Sequence, residues 1–220
     1  MAKHLGDLEV AHGEAFGLAG INGAGKTTLL KCLLDLSAPD SGEIHIFGVP
    51  NTLPKARARV AFLPERFVPP FYLVAGDFLH YALKMSGRVY DRARAEQVLA
   101  ELDFPLTGLR HSVRALSKGM TQKLGLAACF LIAPDCYVLD EPMSGLDPKA
   151  RSLAKAKLAQ VHSAGSTLFF TSHVLTDIEE VCQRMAVLDR GRIRYVGDPG
   201  RLREVYAEQN LERAFLKCIE

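Results

Sequence analysis

The chain has no tryptophan, no C-x-x-C pair and no apolar run long enough to cross a bilayer. Its most apolar window, Leu124 to Ala133, is about half of what a spanning helix needs. The five cysteines, Cys32, Cys129, Cys136, Cys182 and Cys218, lie scattered. That spacing argues against a disulfide framework or a zinc site and fits small buried hydrophobes in a reducing compartment. Neither sign of charge dominates: 27 basic against 25 acidic side chains give +2, which argues against a dedicated nucleic-acid grip. The start, "MAKHLGDLEV", lacks the apolar stretch of a signal peptide. These absences predict a soluble, cytosolic protein. At 220 residues with 48% hydrophobic side chains, it can bury a real core.

What is present is an alternation of strands and helices. Ala15–Ala19, Val60–Leu63, Tyr137–Asp140, Leu168–Thr171 and Ala186–Asp189 are continuous apolar runs of the kind that form strands buried on both faces. Helical patterns cover Lys26–Leu36, Phe78–Met85, Arg92–Leu102, Lys118–Ile132, Lys149–His162 and Val174–Cys182. Such interleaving predicts an α/β fold with a mostly parallel sheet covered on both faces. "GEIHIFG", Gly42 to Gly48, alternates with period two and reads as an edge or hairpin strand. Between Arg66 and Ala133 no internal strand is predicted. The expected organisation is therefore an α/β core over 1–65 and 134–220, with a helical subdomain over 66–133 inserted into it.

Three glycines precede the first helix in "GINGAGKTT", although each lowers helix propensity by about 1 kcal/mol relative to alanine. Gly20, Gly25, Lys26 and Thr27 fit G-x-x-x-x-G-K-[ST], after a predicted strand and opening a predicted helix. Backbone N–H groups from Asn22, Gly23, Ala24, Gly25, Lys26, Thr27 and Thr28 can then surround phosphate oxygens, aided by the helix N-terminus. Lys26 would reach the β/γ-phosphates, Thr27 a Mg²⁺ ion and Thr28 an α-phosphate oxygen. A chance match is a matter of roughly one percent. "CYVLDEP" supplies a partner: a strand ending in Asp140, placed to hold Mg²⁺ through water, and in Glu141, placed to orient or deprotonate an attacking water. Three shorter signals have ordinary structural readings when taken alone. Ser117 in "LSKGMTQ" and Asp147 in "SGLDP" read as helix N-caps, with Pro148 at the first helical position. His173 in "FFTSHVL" reads as a packed residue just past a strand.

In this order, the segments resemble the nucleotide-binding domain of ABC transporters over nearly the whole chain. "GINGAGKTT" is similar to the Walker A motif, "CYVLDEP" to Walker B with its catalytic glutamate, and "LSKGMTQ" to the signature. "SGLDP" is similar to the D-loop and "TSH" to the switch histidine loop. The resemblance implies a P-loop NTPase core of RecA type and a Mg²⁺-dependent ATPase with catalytic Glu141, His173 and Lys26. Thr27, Asp140 and Glu65 would be the metal side, with Glu65 at the Q-loop position. It further implies a head-to-tail dimer, homomeric or pseudo-symmetric, in which Ser117, Lys118 and Gly119 meet ATP in trans and Asp147 couples the sites. A separate membrane permease would dock in the groove near Glu65–Tyr81, holding the chain at the cytoplasmic face of the membrane; no nucleic acid is expected. Phe78 and Leu79 are expected in the core, with Phe67 and Phe71 forming an exposed aromatic patch.

The departures refine the resemblance. Lys118 and Met120 stand where the common signature has Gly and Gln, and Glu65 where it has Gln; both are similar to ATPases of drug, sodium and haem-related exporters. Ile21 and Met143 replace the usual Pro and Thr. The segment from His4 is expected to follow a first strand with an adenine-stacking aromatic. The chain is read as lacking both, which leaves a partial antiparallel β subdomain with an open edge. Losing such a stack would weaken ATP binding roughly 5- to 150-fold. The leading expectation is an ATP-hydrolysing subunit that energises export through a permease. The alternatives are an ABC-type ATP switch outside transport, such as a cell-division module, and a nucleotide-binding module that does not hydrolyse.

Overall fold

The computed structural model describes residues 7–220. In chain order it comprises β1 (Ala15–Ala19), α1 (Lys26–Leu33), β2 (His45–Ile46), β3 (Val49–Pro50), α2 (Pro54–Arg57), β4 (Val60–Leu63), α3 (Ala75–Met85) and α4 (Arg92–Glu101). Then follow α5 (Lys118–Ile132), β5 (Cys136–Asp140), α6 (Pro148–Ser163), β6 (Thr167–Ser172), α7 (Leu175–Val181), β7 (Arg184–Asp189), β8 (Arg192–Gly197), α8 (Pro199–Val205) and α9 (Leu211–Ile219). Six strands form one sheet in the order β4-β5-β6-β1-β7-β8. The pairings are parallel except β7 with β8.

The central strands are apolar on both faces because both faces are covered. On β1, Phe16 and Leu18 pack toward Leu30 and Leu34 on the α1 side, while Ala15 and Ala19 join the opposite core. That second core takes in Leu124, Ala127 and Phe130 of α5, Leu158 of α6 and Ile178 of α7. Burying each large side chain fully is worth about 1.5–3 kcal/mol. Among the described residues no strand of this sheet lies between Leu63 and Cys136; α3, α4, α5 and two short 3₁₀ turns fill that stretch.

Several expectations need correcting. Helix α1 stops at Leu33, not Leu36, because Asn51 Nδ2 donates to the carbonyls of Cys32 and Leu33 at 2.7 and 3.1 Å and Asp35 turns left-handed at φ 59°. The strand expected over Gly42–Gly48 shrinks to His45–Ile46 and pairs antiparallel with β3 across a Phe47–Gly48 turn. Both turn residues have positive φ, as a tight hairpin requires. Phe47 tolerates this because its ring is held under the Arg59 guanidinium at 4.0 Å. Among the described residues β2 and β3 pair only with each other; the expected segment begins at His4, outside the described residues. Phe67 is not part of an exposed patch: it is half-buried, edge-on to Phe78 with ring centroids 5.6 Å apart. Phe71 and Tyr72 are exposed as a pair, and Phe78 and Leu79 are buried. Cys32 is half-buried, whereas the other four thiols are buried.

Candidate nucleotide site

The parallel strands aim their carboxyl ends at one edge of the sheet, and the chemistry collects there. The loop after β1 leads into α1, whose first turn is entered through Gly25 at φ 113° and Gly23 at φ 81°. A side chain at Gly23 would meet no protein atom within 4 Å, so the constraint visible there is the left-handed backbone. Gly20 is constrained by space: a Cβ would lie 2.6 Å from the Leu188 carbonyl oxygen on β7.

A cleft of about 330 Å³ opens over this loop. Its wall includes Asn22, Gly23, Gly25, Lys26, Thr27 and Thr28 with Glu65, Asp140 and Glu141. Lys26 is buried, and its ammonium donates to the Gly20 carbonyl at 2.7 Å. The same ammonium stands 3.4 Å from Glu141 Oε1, outside hydrogen-bonding geometry, so that buried oxygen has no donor among the described residues. Asp140 is 1% exposed and accepts from two hydroxyls, Thr27 Oγ1 at 2.9 Å and Thr171 Oγ1 at 2.6 Å.

Glu141 follows at φ 50°, a conformation a non-glycine residue holds only when its surroundings require it. Its N–H donates to Thr171 Oγ1 at 3.0 Å, and its Oε2 lies 2.8 Å from His173 Nδ1. The His173 backbone N–H reaches that same oxygen at 3.3 Å. His173 is therefore not a packed residue: its side chain is more than half exposed and faces Glu141.

Ala24 is buried beneath the loop, and Ser117, Lys118, Gly119 and Asp147 do not line the cleft. Ser117 caps α5 by accepting from the Met120 N–H, and Asp147 caps α6 by accepting from the Ala150 N–H with Pro148 next. Lys118 lies along Gly145 and reaches Ser144 Oγ at 3.4 Å, so the two capped loops touch each other. The sequence reading missed Thr171. The signal was present, since a hydroxyl residue inside a buried β6 run needs a polar partner.

Thr27, Asp140 and Glu65 offer only oxygen donors, which suits a hard cation that keeps most of its waters. Among the described residues, no three His, Cys, Asp or Glu side chains converge as a closed metal cage. No described helix is long and apolar enough to cross a membrane.

Comparison with known proteins agrees with this geometry. The family model described as ABC transporter matches residues 5–144. The Nod factor export ATP-binding protein I of Cupriavidus metallidurans is 38% identical over 205 residues, covering 89% of this chain and 66% of the relative. An ABC transporter ATP-binding protein of Synechocystis sp. is 38% identical, covering 84% of this chain and 53% of its own length. The chain thus spans about half to two thirds of these relatives. A solved ATP-binding subunit of an ABC transporter superposes with a TM-score of 0.86 at 28% identity, covering 96% of this chain and 90% of that one. A dimeric ATP-binding cassette bound to ADP and Pi shares the fold, with a TM-score of 0.80 at 22% identity over 87% of this chain and 88% of that one. The chain belongs to the ABC transporter family and carries its nucleotide-binding domain.

Proposed function

We propose that this chain binds and hydrolyses ATP with Mg²⁺ and so energises export through a separate membrane permease. The observation that carries the reading is the convergence of Lys26, Asp140 and Glu141 on one cleft, with His173 against Glu141, drawn from the end of β5 and the segments that follow β1, β5 and β6. Glu141 holds a buried oxygen without a donor, the arrangement a general base needs to take or orient a water proton. His173 fixes the other carboxylate oxygen at 2.8 Å, so the side chain points one way. Lys26 supplies a buried cation for the β/γ-phosphates, and the N–H groups of 22–28 cradle their oxygens. Thr27 and Asp140 would hold the metal, with Glu65 at the rim of the same cleft; when bound, Mg²⁺ neutralises charge on the phosphate oxygens.

The remaining roles follow from family membership and placement. Ser117, Lys118 and Gly119, outside the cleft of their own chain, would meet ATP held by a second copy packed head to tail, with Asp147 at that seam. The names of the Nod factor export relatives support the export direction. Exposed Val68, Phe71, Tyr72 and Tyr81, in the segment after Glu65, suit a permease docking groove at the cytoplasmic face of the membrane. The subdomain limits 1–65, 66–133 and 134–220 match these roles, the middle one carrying both the groove and the signature.

The test is Mg²⁺-ATP turnover by the chain beside Glu141→Gln. Removing the base should lower kcat by about 10²–10⁴-fold and leave an ATP-dependent dimer that elutes early on size exclusion. Equal rates for the two proteins would end the hydrolytic reading of Glu141.

A further inference from the structure

Among the buried carboxylates with no part in the cleft, Asp177 bridges two helices that leave it. Asp177, in the first turn of α7, is 2% exposed and faces two cations of α6. Arg151 Nη2 donates to its Oδ2 at 2.6 Å, and Lys155 Nζ stands 3.7 Å from its Oδ1. Lys155 also pairs with Glu180, one α7 turn further on. A buried ion pair is weak support for stability, because a well-packed apolar pair often does as well; what it does fix is geometry.

The geometry fixed here is specific. Asp177 lies four residues after His173, and Arg151 lies four residues after Asp147, about one helical turn in each case. The pair thus joins the first turns of the two helices that leave the Glu141–Asp147 loop and the His173 loop. Upstream, Asp147 caps α6 and the Arg151 N–H donates to its carbonyl at 2.9 Å, while His173 rests on Glu141. We infer that Asp177 is a positioning residue: with Arg151 and Lys155 it sets the register of α7 against α6 and so holds His173 against Glu141. The inference rests on the hydrolytic reading above for its kinetic readout but not for its structural one.

The experiment compares the chain with Asp177→Asn, which keeps the shape and removes the charge, with His173→Ala, and with both together. Turnover of Mg²⁺-ATP is measured per folded molecule, and the His173 ring resonances are followed by NMR. Asp177→Asn should lower kcat on the order of ten- to a hundredfold with KM for ATP nearly unchanged, the scale of a misplaced reacting group. It should shift the His173 resonances, and it should add nothing in the His173→Ala background, since residues acting through one another are non-additive. Asp177→Glu should restore part of the loss. A variant that melts earlier but keeps kcat and the His173 resonances would reduce Asp177 to a packing role and overturn the inference. Multiplicative losses in the double variant would overturn it too. If Asp177→Asn does not fold, Arg151→Met, altered at the more exposed end of the pair, carries the same comparison. Should the unmodified chain not turn over ATP, the hydrolytic reading fails by itself, and the His173 resonances still decide the role of Asp177.

Discussion

Thr171→Val tests whether the site is held from beneath by β6. The threonine is fully buried, and its single hydroxyl donates to Asp140 Oδ1 at 2.6 Å while accepting from the Glu141 N–H at 3.0 Å. Valine fills the same space without either bond. A hydrogen bond to a charged group is worth about 1.5–3 kcal/mol, and a buried N–H left without an acceptor costs about 1–3 kcal/mol. Asp140 keeps the Thr27 hydroxyl at 2.9 Å, so the lower half applies and about 3 kcal/mol should be lost. Against a typical total of about 5–15 kcal/mol, urea unfolding will read that clearly. The effect on chemistry follows from the same bond. Glu141 sits at φ 50°, and its N–H anchor offsets that strain, so freeing it lets the carboxylate swing from the cleft. Turnover should fall at least roughly tenfold, within the range of a displaced reacting group. Thr171→Ser keeps the hydroxyl and should keep most of the activity. A loss below about 1 kcal/mol with turnover unchanged would refute the claim that this hydroxyl orders the Asp140–Glu141 pair.

Two further outcomes probe the packing around the site. Gly20→Ala places a Cβ 2.6 Å from the Leu188 carbonyl, which β7 cannot move aside, and the strain should cost about 1–3 kcal/mol by urea unfolding. Nucleotide affinity should fall with it, because Lys26 is oriented by the Gly20 carbonyl; unchanged affinity in a fluorescent-nucleotide titration would count against that link. Burial pushes the Cys129 thiol up to about 12, whereas it titrates near about 8.5 when unfolded. Folding therefore favours the neutral thiol: its contribution is full below about pH 8.5 and is lost toward pH 12, about 1.4 kcal/mol per unit. Cys129→Ala should flatten unfolding free energy against pH between about 9 and 11 by one proton, and parallel curves would contradict the burial account.

The strands that carry the site were legible because both faces of the sheet are covered, which turns β1, β4, β5, β6 and most of β7 into unbroken apolar runs. Strand β8 escaped for the converse reason. As an edge strand it alternates, with Arg192, Arg194 and Val196 exposed between Ile193 and Tyr195, and no continuous run marks it. The end of α1 was beyond local reading, since Asn51, which satisfies its last carbonyls, arrives from the loop after β3. Phe67 misled for a similar reason: two neighbouring prolines suggested a surface loop, but tertiary packing against Phe78 turned its ring inward. The residues of the cleft were found by motif. Their coupling was not, because Thr171, Asp177 and Arg151 act across elements that sequence spacing does not relate.

The contact between Lys26 and Glu141 links binding to chemistry within that network. Lys26 is held by one carbonyl at 2.7 Å, and its approach to Glu141 Oε1 at 3.4 Å is a charge attraction without an aligned hydrogen bond. A buried ammonium so weakly paired is free to turn toward a stronger anion, and a phosphate with several formal charges outcompetes one carboxylate at similar distance. On the proposed reading, that turn withdraws the cation from Glu141 as the phosphates arrive. The carboxylate then has one oxygen fixed by His173 and the other bare, open to the water it would orient. Lys26→Met should therefore do more than weaken phosphate binding. It removes a cation 3.4 Å from Glu141 Oε1, so its effect on turnover should be non-additive with that of Glu141→Gln. Multiplicative losses of turnover in the double variant would show that Lys26 and Glu141 work independently.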